Sequence, residues 1–188
     1  MNEILNNILT RRSIREFKKE QIREEELEMI LKAGIYAPSG MNRQSWQFTV
    51  IQNKNKIQEL AKVVREEIGR NEEYNFYEPP TLIMLSNDRD NKNGLADCSC
   101  ALENIFLMAN SLGIGSCWIN QLKNICDNKR VRNLLNEFDI PENHIVWGMA
   151  SIGYPEKMGV EHKRREGTIK YIRSVSYTHL TLPTKRIV

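Results

Sequence analysis

The stretch whose reading decides the fold is "GLADCSCALENIFLMANSLGIG", residues 94–115. It reads as a long apolar helix, and Gly113 is placed to end it at the C-cap, where a left-handed residue is favoured. On its N-terminal side, "TLIMLSND" (81–88) is an apolar run of strand length that predicts burial on both faces. On its C-terminal side, "SCWIN" (116–120) is short and apolar, and "HIVWGMASIGYP" (144–155) reads as a strand ended by Gly153 and Pro155. Further out, "WQFTVIQN" (46–53) is aromatic and β-branched, which predicts a strand. "KNKIQELAKVVREEIGR" (54–70) is a charged amphipathic helix, and "NKRVRNLLNEF" (128–138) is a short one. "EQIREEELEMILKAGIYAPSG" (20–40) carries Ile22, Leu27, Ile30, Leu31 and Ile35 at helical spacing and is stopped by Pro38 and Gly40. "NEILNNILT" (2–10) sets Ile4, Leu5, Ile8 and Leu9 on one helix face. "NEEYNFYEPP" (71–80) is irregular, because tandem prolines stop a helix. Helices and strands are mixed around a long central helix, so the expected class is an α+β sandwich of one sheet and several helices.

The chain shows no repeat or linker, and residues 1–173 read as one domain. Residues 174–188, "SVSYTHLTLPTKRIV", resemble a translated cloning adapter and are set aside from the fold, with His179 among them. The formal net charge is +3 over 188 residues. Without Lys185 and Arg186 in that tail, 25 basic residues face 24 acidic ones. A near-neutral chain lacks the field of a nucleic-acid binder. No apolar run approaches the roughly 20 residues of a membrane span. The start lacks the basic-then-apolar layout of a signal peptide, so a cytoplasmic protein is expected. Cys98, Cys100, Cys117 and Cys126 have no zinc-ligand spacing, and "CSC" at 98–100 reads as small buried residues on a helix.

Negative findings narrow the chemistry. There is no dinucleotide-binding glycine fingerprint after a strand and no phosphate loop of the Walker type. Ser39 stands in "PSG" rather than a nucleophile elbow, and His144, His162 and His179 form no triad or metal pattern. What remains suits an anion and a planar ring. "RRSIREF" (11–17) brings Arg11, Arg12, Ser13 and Arg15 together, with Ile14 and Phe17 free to pack inward. Guanidinium groups make forked contacts to phosphate, although such a cluster taken alone is more often a solvated face. Lys163, Arg164 and Arg165 form a second basic cluster, and a lone "KRR" is usually a surface loop. "APSGMNRQSWQF" (37–48) offers Ser39, Asn42 and Gln44, whose polar groups can bond a heterocycle edge, while Trp46 suits either ring stacking or core.

Four of these pieces, in this order, resemble the nitroreductase family of flavin enzymes across residues 1–173: "RRSIREF", "APSGMNRQSWQF", "GIGSCWI" (113–119) and "GYPEKMGVEHKRRE" (153–166). The resemblance implies an α+β fold with a mixed sheet around a long central helix. It implies non-covalent FMN at the interface of an entwined homodimer, and NAD(P)H as co-substrate. Arg11, Arg12 and Ser13 would contact the flavin phosphate or ribityl chain, and Arg15 the N1 and O2 edge of the ring. Lys163 and Arg165 would also hold the phosphate. Pro38, Ser39, Asn42 and Gln44 would come from the other subunit, and the backbone from Trp118 to Asn120 would lie by N5. The implied cycle is ping-pong, from NAD(P)H to a nitroaromatic, quinone or similar small acceptor, with no catalytic acid or base. Other chemistry on the same fold, reductive dehalogenation or flavin fragmentation, and a non-enzymatic flavin-binding protein are the alternatives. Ser45 departs from the family, which often has proline there, and predicts a looser loop.

Overall fold

The computed structural model describes residues 2–173. The residue 174–188 segment lies outside the described residues. The helices are α1 (Glu3–Thr10), α2 (Glu24–Ile35), α3 (Lys54–Glu67), α4 (Gly94–Ser111) and α5 (Lys129–Glu137). The strands are β1 (Trp46–Ile51), β2 (Thr81–Asp88), β3 (Gly115–Ile119) and β4 (His144–Gly153). They form one sheet in the order β1-β2-β4-β3, with every pairing antiparallel. The parallel component that makes the sheet mixed is a bridge from Ser13 to Ser116. "SCWIN" supplies a fourth strand that its length alone did not announce.

The central strands β2 and β4 alternate along most of their length, as strand geometry requires, and an irregularity between Leu85 and Ser86 leaves Trp147 of β4 unpaired and brings Val146 and Met149 to the same face. Leu82 and Met84 point into a core closed by α3 and α5, while Ile83 and Leu85 point into one closed by α2 and α4. This explains the burial of all but the last residue of β2 in an antiparallel sheet: each face is covered by helices. α4 buries Cys98, Ala101, Leu102, Ile105, Phe106 and Ala109, the i, i+3, i+4 pattern of a helix lying on a sheet. It ends as expected, with Gly113 at φ 72°. The Ile114 N–H returns to the Ala109 carbonyl at 2.8 Å and the Gly113 N–H to Asn110 at 3.1 Å, the paired bonds of a Schellman cap. Of the "CSC" pair, Cys98 is buried and Cys100 faces outward, because residues two apart lie on different helix faces.

α2 begins on a buried carboxylate. Glu26 accepts from the Arg23 backbone N–H at 3.0 Å, from the Arg23 guanidinium at 2.8 Å and from the Tyr154 hydroxyl at 2.5 Å. The Arg23 side chain is the largest influence, and together with Tyr154 it lowers the Glu26 pKa from 4.5 to about 2 despite burial. A carboxyl whose folded pKa is depressed stabilises the fold above its unfolded value, and that contribution is lost as pH falls. Glu26→Gln is therefore expected to cost about 1–3 kcal/mol at neutral pH. The gap between wild-type and variant unfolding midpoints should stay constant above pH 4.5 and shrink toward pH 2. A gap independent of pH in urea titrations would show that Glu26 is not ionised in the fold.

α1 forms as its spacing predicts but buries none of its residues. It is fastened to α4 by amides instead. Asn7 Nδ2 donates to the Leu107 carbonyl at 2.8 Å, and Asn110 Nδ2 donates to Asn7 Oδ1 at 2.7 Å. Ile4, Leu5, Ile8 and Leu9 stay exposed.

Candidate functional site

Residues 11–17 leave α1 as an extended segment beside β3. The Ile14 N–H donates to the Ser116 carbonyl at 2.9 Å, and Phe17 bridges to Pro155 just past β4. Ile14 is buried, so Ser13 and Arg15 face the other way, as alternation demands. Gly115 makes this approach possible: a Cβ there would sit 2.8 Å from Ile14 Cγ1. The segment forms one wall of a cavity of about 450 Å³. Arg11, Arg12, Ser13 and Arg15 line it from one side, and Lys157, Gly159, His162 and Arg164 from the other. Gly159 is required, since a Cβ would lie 2.5 Å from Arg12 Cβ. Five cationic side chains and one carboxylate, Glu16, line the cavity.

The arginines are not equivalent. Arg12 donates from Nη1 to the Leu9 and Arg11 carbonyls at 2.6 and 2.8 Å, and its Nη2 meets Glu161 at 3.3 Å. It caps the end of α1. Arg11 approaches Glu103 at only 4.0 Å. Arg15 lies over the Tyr77 ring, its pKa raised first by Tyr77. Lys157 pairs with Glu16 at 2.7 Å.

The late basic stretch contributes the opposite parity from the pair the sequence singled out. His162 and Arg164 line the cavity while Lys163 pairs with Glu166 at 3.4 Å, and all four residues 162–165 are exposed. Alternation in an extended segment was the available signal, but the sequence does not set its phase.

The second group lies elsewhere in the same chain. Pro38, Ser39, Asn42 and Gln44 follow α2, and none lines the cationic cavity. Met41, Asn42 and Gln44 have φ of 55°, 53° and 48°, an irregular backbone held by side chains. Gln44 donates to Asn42 Oδ1 at 2.7 Å, and its N–H donates to Ser39 Oγ at 3.2 Å. The Gly40 N–H donates to buried Asp97 of α4 at 2.9 Å. Ser45 does not loosen this loop. Its hydroxyl donates to Asn87 Oδ1 at 2.8 Å and accepts from Asn91 at 3.1 Å, and Asn91 also donates to Asp97 at 3.0 Å. Part-buried hydrogen bonds thus tie down the loop that proline would have stiffened. Trp46 is half-buried, edge-on to Phe48 at 5.9 Å. Trp118 is partly exposed on β3 beside Phe106, and the Asn120 N–H is met by Gln121 Oε1 at 3.0 Å.

An antiparallel-dominated α+β sheet carrying a cationic cavity along its edge strand defines the class of protein. Residues 8–154 match the nitroreductase family, and the chain belongs to that family. Its relatives include a protein of Archaeoglobus fulgidus provisionally named NADH dehydrogenase/NAD(P)H nitroreductase, 34% identical over 83% of this chain and 87% of the relative. Among solved structures, a nitroreductase with bound FMN from Bacteroides fragilis superposes with a TM-score of 0.86. That structure is 38% identical over 92% of this chain and 100% of the other. A nitroreductase with bound FMN from Desulfitobacterium hafniense has a TM-score of 0.84 at 29% identity, over 92% and 100% of the two chains. No helix of the described residues is long and apolar enough to cross a membrane. No group of three or more metal-ligating side chains occurs among them either.

Proposed function

We propose that this chain is an FMN-dependent NAD(P)H oxidoreductase. It passes electrons in a ping-pong cycle to a nitroaromatic, quinone or similar small acceptor, as a cytoplasmic homodimer that shares its flavin sites. The observation that carries this reading is the cavity lined by Arg11, Ser13 and Arg164, a donor set suited to a phosphate dianion, with Arg15 on the same wall. FMN, when bound, supplies the redox chemistry itself. The chain's residues bind and orient it. Arg11 and Ser13 anchor the phosphate end, with Arg12 shaping the wall through its hold on α1. From the late stretch the geometry favours Arg164 and His162 for this contact over Lys163 and Arg165. Arg15 places a fixed positive charge where negative charge accumulates on a reduced ring, the kind of preorganised stabilisation that needs no movement. The backbone from Trp118 to Asn120 would border the ring. Pro38, Ser39, Asn42 and Gln44 stand away from their own chain's cavity, and a shared site would give them to the partner's flavin. The exposed apolar face of α1 supports such a partner.

The test is a visible spectrum of the purified protein, as residues 1–173 and as the full chain, before and after anaerobic NADH. A flavin spectrum that bleaches on adding the dinucleotide is expected. Protein of residues 1–173 that stays colourless after FMN is added would overturn the reading.

A further inference from the structure

One side chain beside the cationic cavity is placed at a cost that neither the sheet nor the phosphate contact explains. Arg15 and Glu16 line the 450 Å³ cavity and also a second one of about 560 Å³, whose walls include Tyr77, Pro79 and Pro80. The Tyr77 ring meets the Arg15 guanidinium with Cζ 5.7 Å from the ring centroid, within cation–π range. The backbone that brings it there is unusual. Phe76, Tyr77 and Glu78 have φ of 59°, 69° and 48° in succession. None is glycine, asparagine or aspartate, the residues that visit this region readily.

The surroundings force the turn. Phe76 is 1% exposed, packed in the core under α3 and edge-on to Tyr74 at 5.5 Å. Its carbonyl accepts from the buried Ser151 hydroxyl of β4 at 2.9 Å. Asn75 accepts from the Tyr77 N–H at 3.0 Å and donates to the Glu78 carboxylate at 3.1 Å. Backbone held in such a state by its neighbours points to a function for what it presents. Here it presents a ring to Arg15.

We propose that Tyr77 is a positioning residue: the left-handed turn holds its ring on Arg15 and presets the guanidinium on the wall shared by the two cavities, against bound FMN. This rests on the FMN reading above. A side chain ordered before the ligand arrives lowers the ordering cost of binding. A charge held in one place also stabilises developing negative charge better than a mobile one.

The test compares full-length wild type with Tyr77→Ala, Tyr77→Phe and Arg15→Ala. FMN affinity is read by fluorescence titration, the midpoint potential of bound flavin by equilibrium reduction, and folding by thermal melts. Tyr77→Ala should weaken FMN binding by about twofold to thirtyfold, the range of a cation–π contact, and make the potential more negative. Tyr77→Phe, which keeps the ring, should restore both. If Tyr77→Ala does not fold, Tyr77→Leu takes its place in the same comparison. Affinity and potential unchanged in Tyr77→Ala, while Arg15→Ala alters them, would overturn the proposal and leave the FMN reading standing. A Phe variant as impaired as Ala would overturn it too, since the ring would not be the cause. Arg15→Ala without effect would remove the role of Arg15 and that of Tyr77 with it. A wild type that binds no FMN, whether as the full chain or as residues 1–173, would remove the underlying reading as well.

Discussion

Arg11→Glu is expected to yield a folded protein that loses FMN during purification, with affinity lowered by about 10²–10³-fold. Arg11 lines the cavity from the residue that closes α1, and its backbone N–H is held by the Asn7 carbonyl at 3.1 Å. Replacing one partner of a desolvated charge pair costs about 2–5 kcal/mol, and each 1.4 kcal/mol is tenfold in affinity. Reversing the sign adds repulsion toward the phosphate. The fold should lose little. The Arg11–Glu103 pair is 4.0 Å apart with Glu103 half-exposed, and such pairs contribute about 0–1 kcal/mol. Arg12 would be the wrong residue for this test. Its guanidinium holds the Leu9 and Arg11 carbonyls, so its loss would disturb the wall and the ligand contact together. Fluorescence titration with FMN and a thermal melt decide the matter. Unchanged affinity in Arg11→Glu would place the phosphate elsewhere, and a collapsed melt would assign Arg11 to the fold.

The parts of the molecule legible in the sequence are those governed by local periodicity. α4, its Gly113 cap and the doubly buried β2 follow from residue spacing, because one helix face and both strand faces must be covered. β3 was less legible, since five residues hold too few alternations to separate strand from loop. The basic segment 11–15 reads as an anion site only through its resemblance to the nitroreductase family, since three close arginines alone suit a solvated face as well. The place of His162 and Arg164 on the cavity wall was not legible, because a loop segment has no buried strand face to fix its phase. Ser45 was read by what it lacks, the proline ring. Its actual role depends on Asn87 and Asn91, more than forty residues away, and no local pattern reports such a contact. The turn at residues 76–78 was illegible for a related reason. Positive φ is announced by glycine or asparagine, and here tertiary packing of Phe76 imposes it on residues that disfavour it.

The double substitution Ile4→Asp with Ile8→Asp should convert the protein to a monomer and strip its flavin. Ile4 and Ile8 are 69% and 46% exposed, and Leu5 and Leu9 beside them 48% and 52%. α1 needs none of them to stay attached, because Asn7 and Asn110 tie it to α4. Covering such side chains contributes about 1.5–3 kcal/mol each, enough across two subunits to offset much of the cost of association. An aspartate at each position instead requires burial of an unpaired charge, at several kcal/mol per ion. Sedimentation velocity at micromolar protein, with flavin content measured on the same sample, separates the outcomes. A dimer that persists with full flavin would show that α1 lies outside the interface. A monomer that retains FMN at wild-type affinity would show instead that Ser39, Asn42 and Gln44 of a partner are not needed, and the site would belong to one chain. Loss of both together is what a shared site requires, because residues 38–44 and the cationic cavity do not meet within a single subunit.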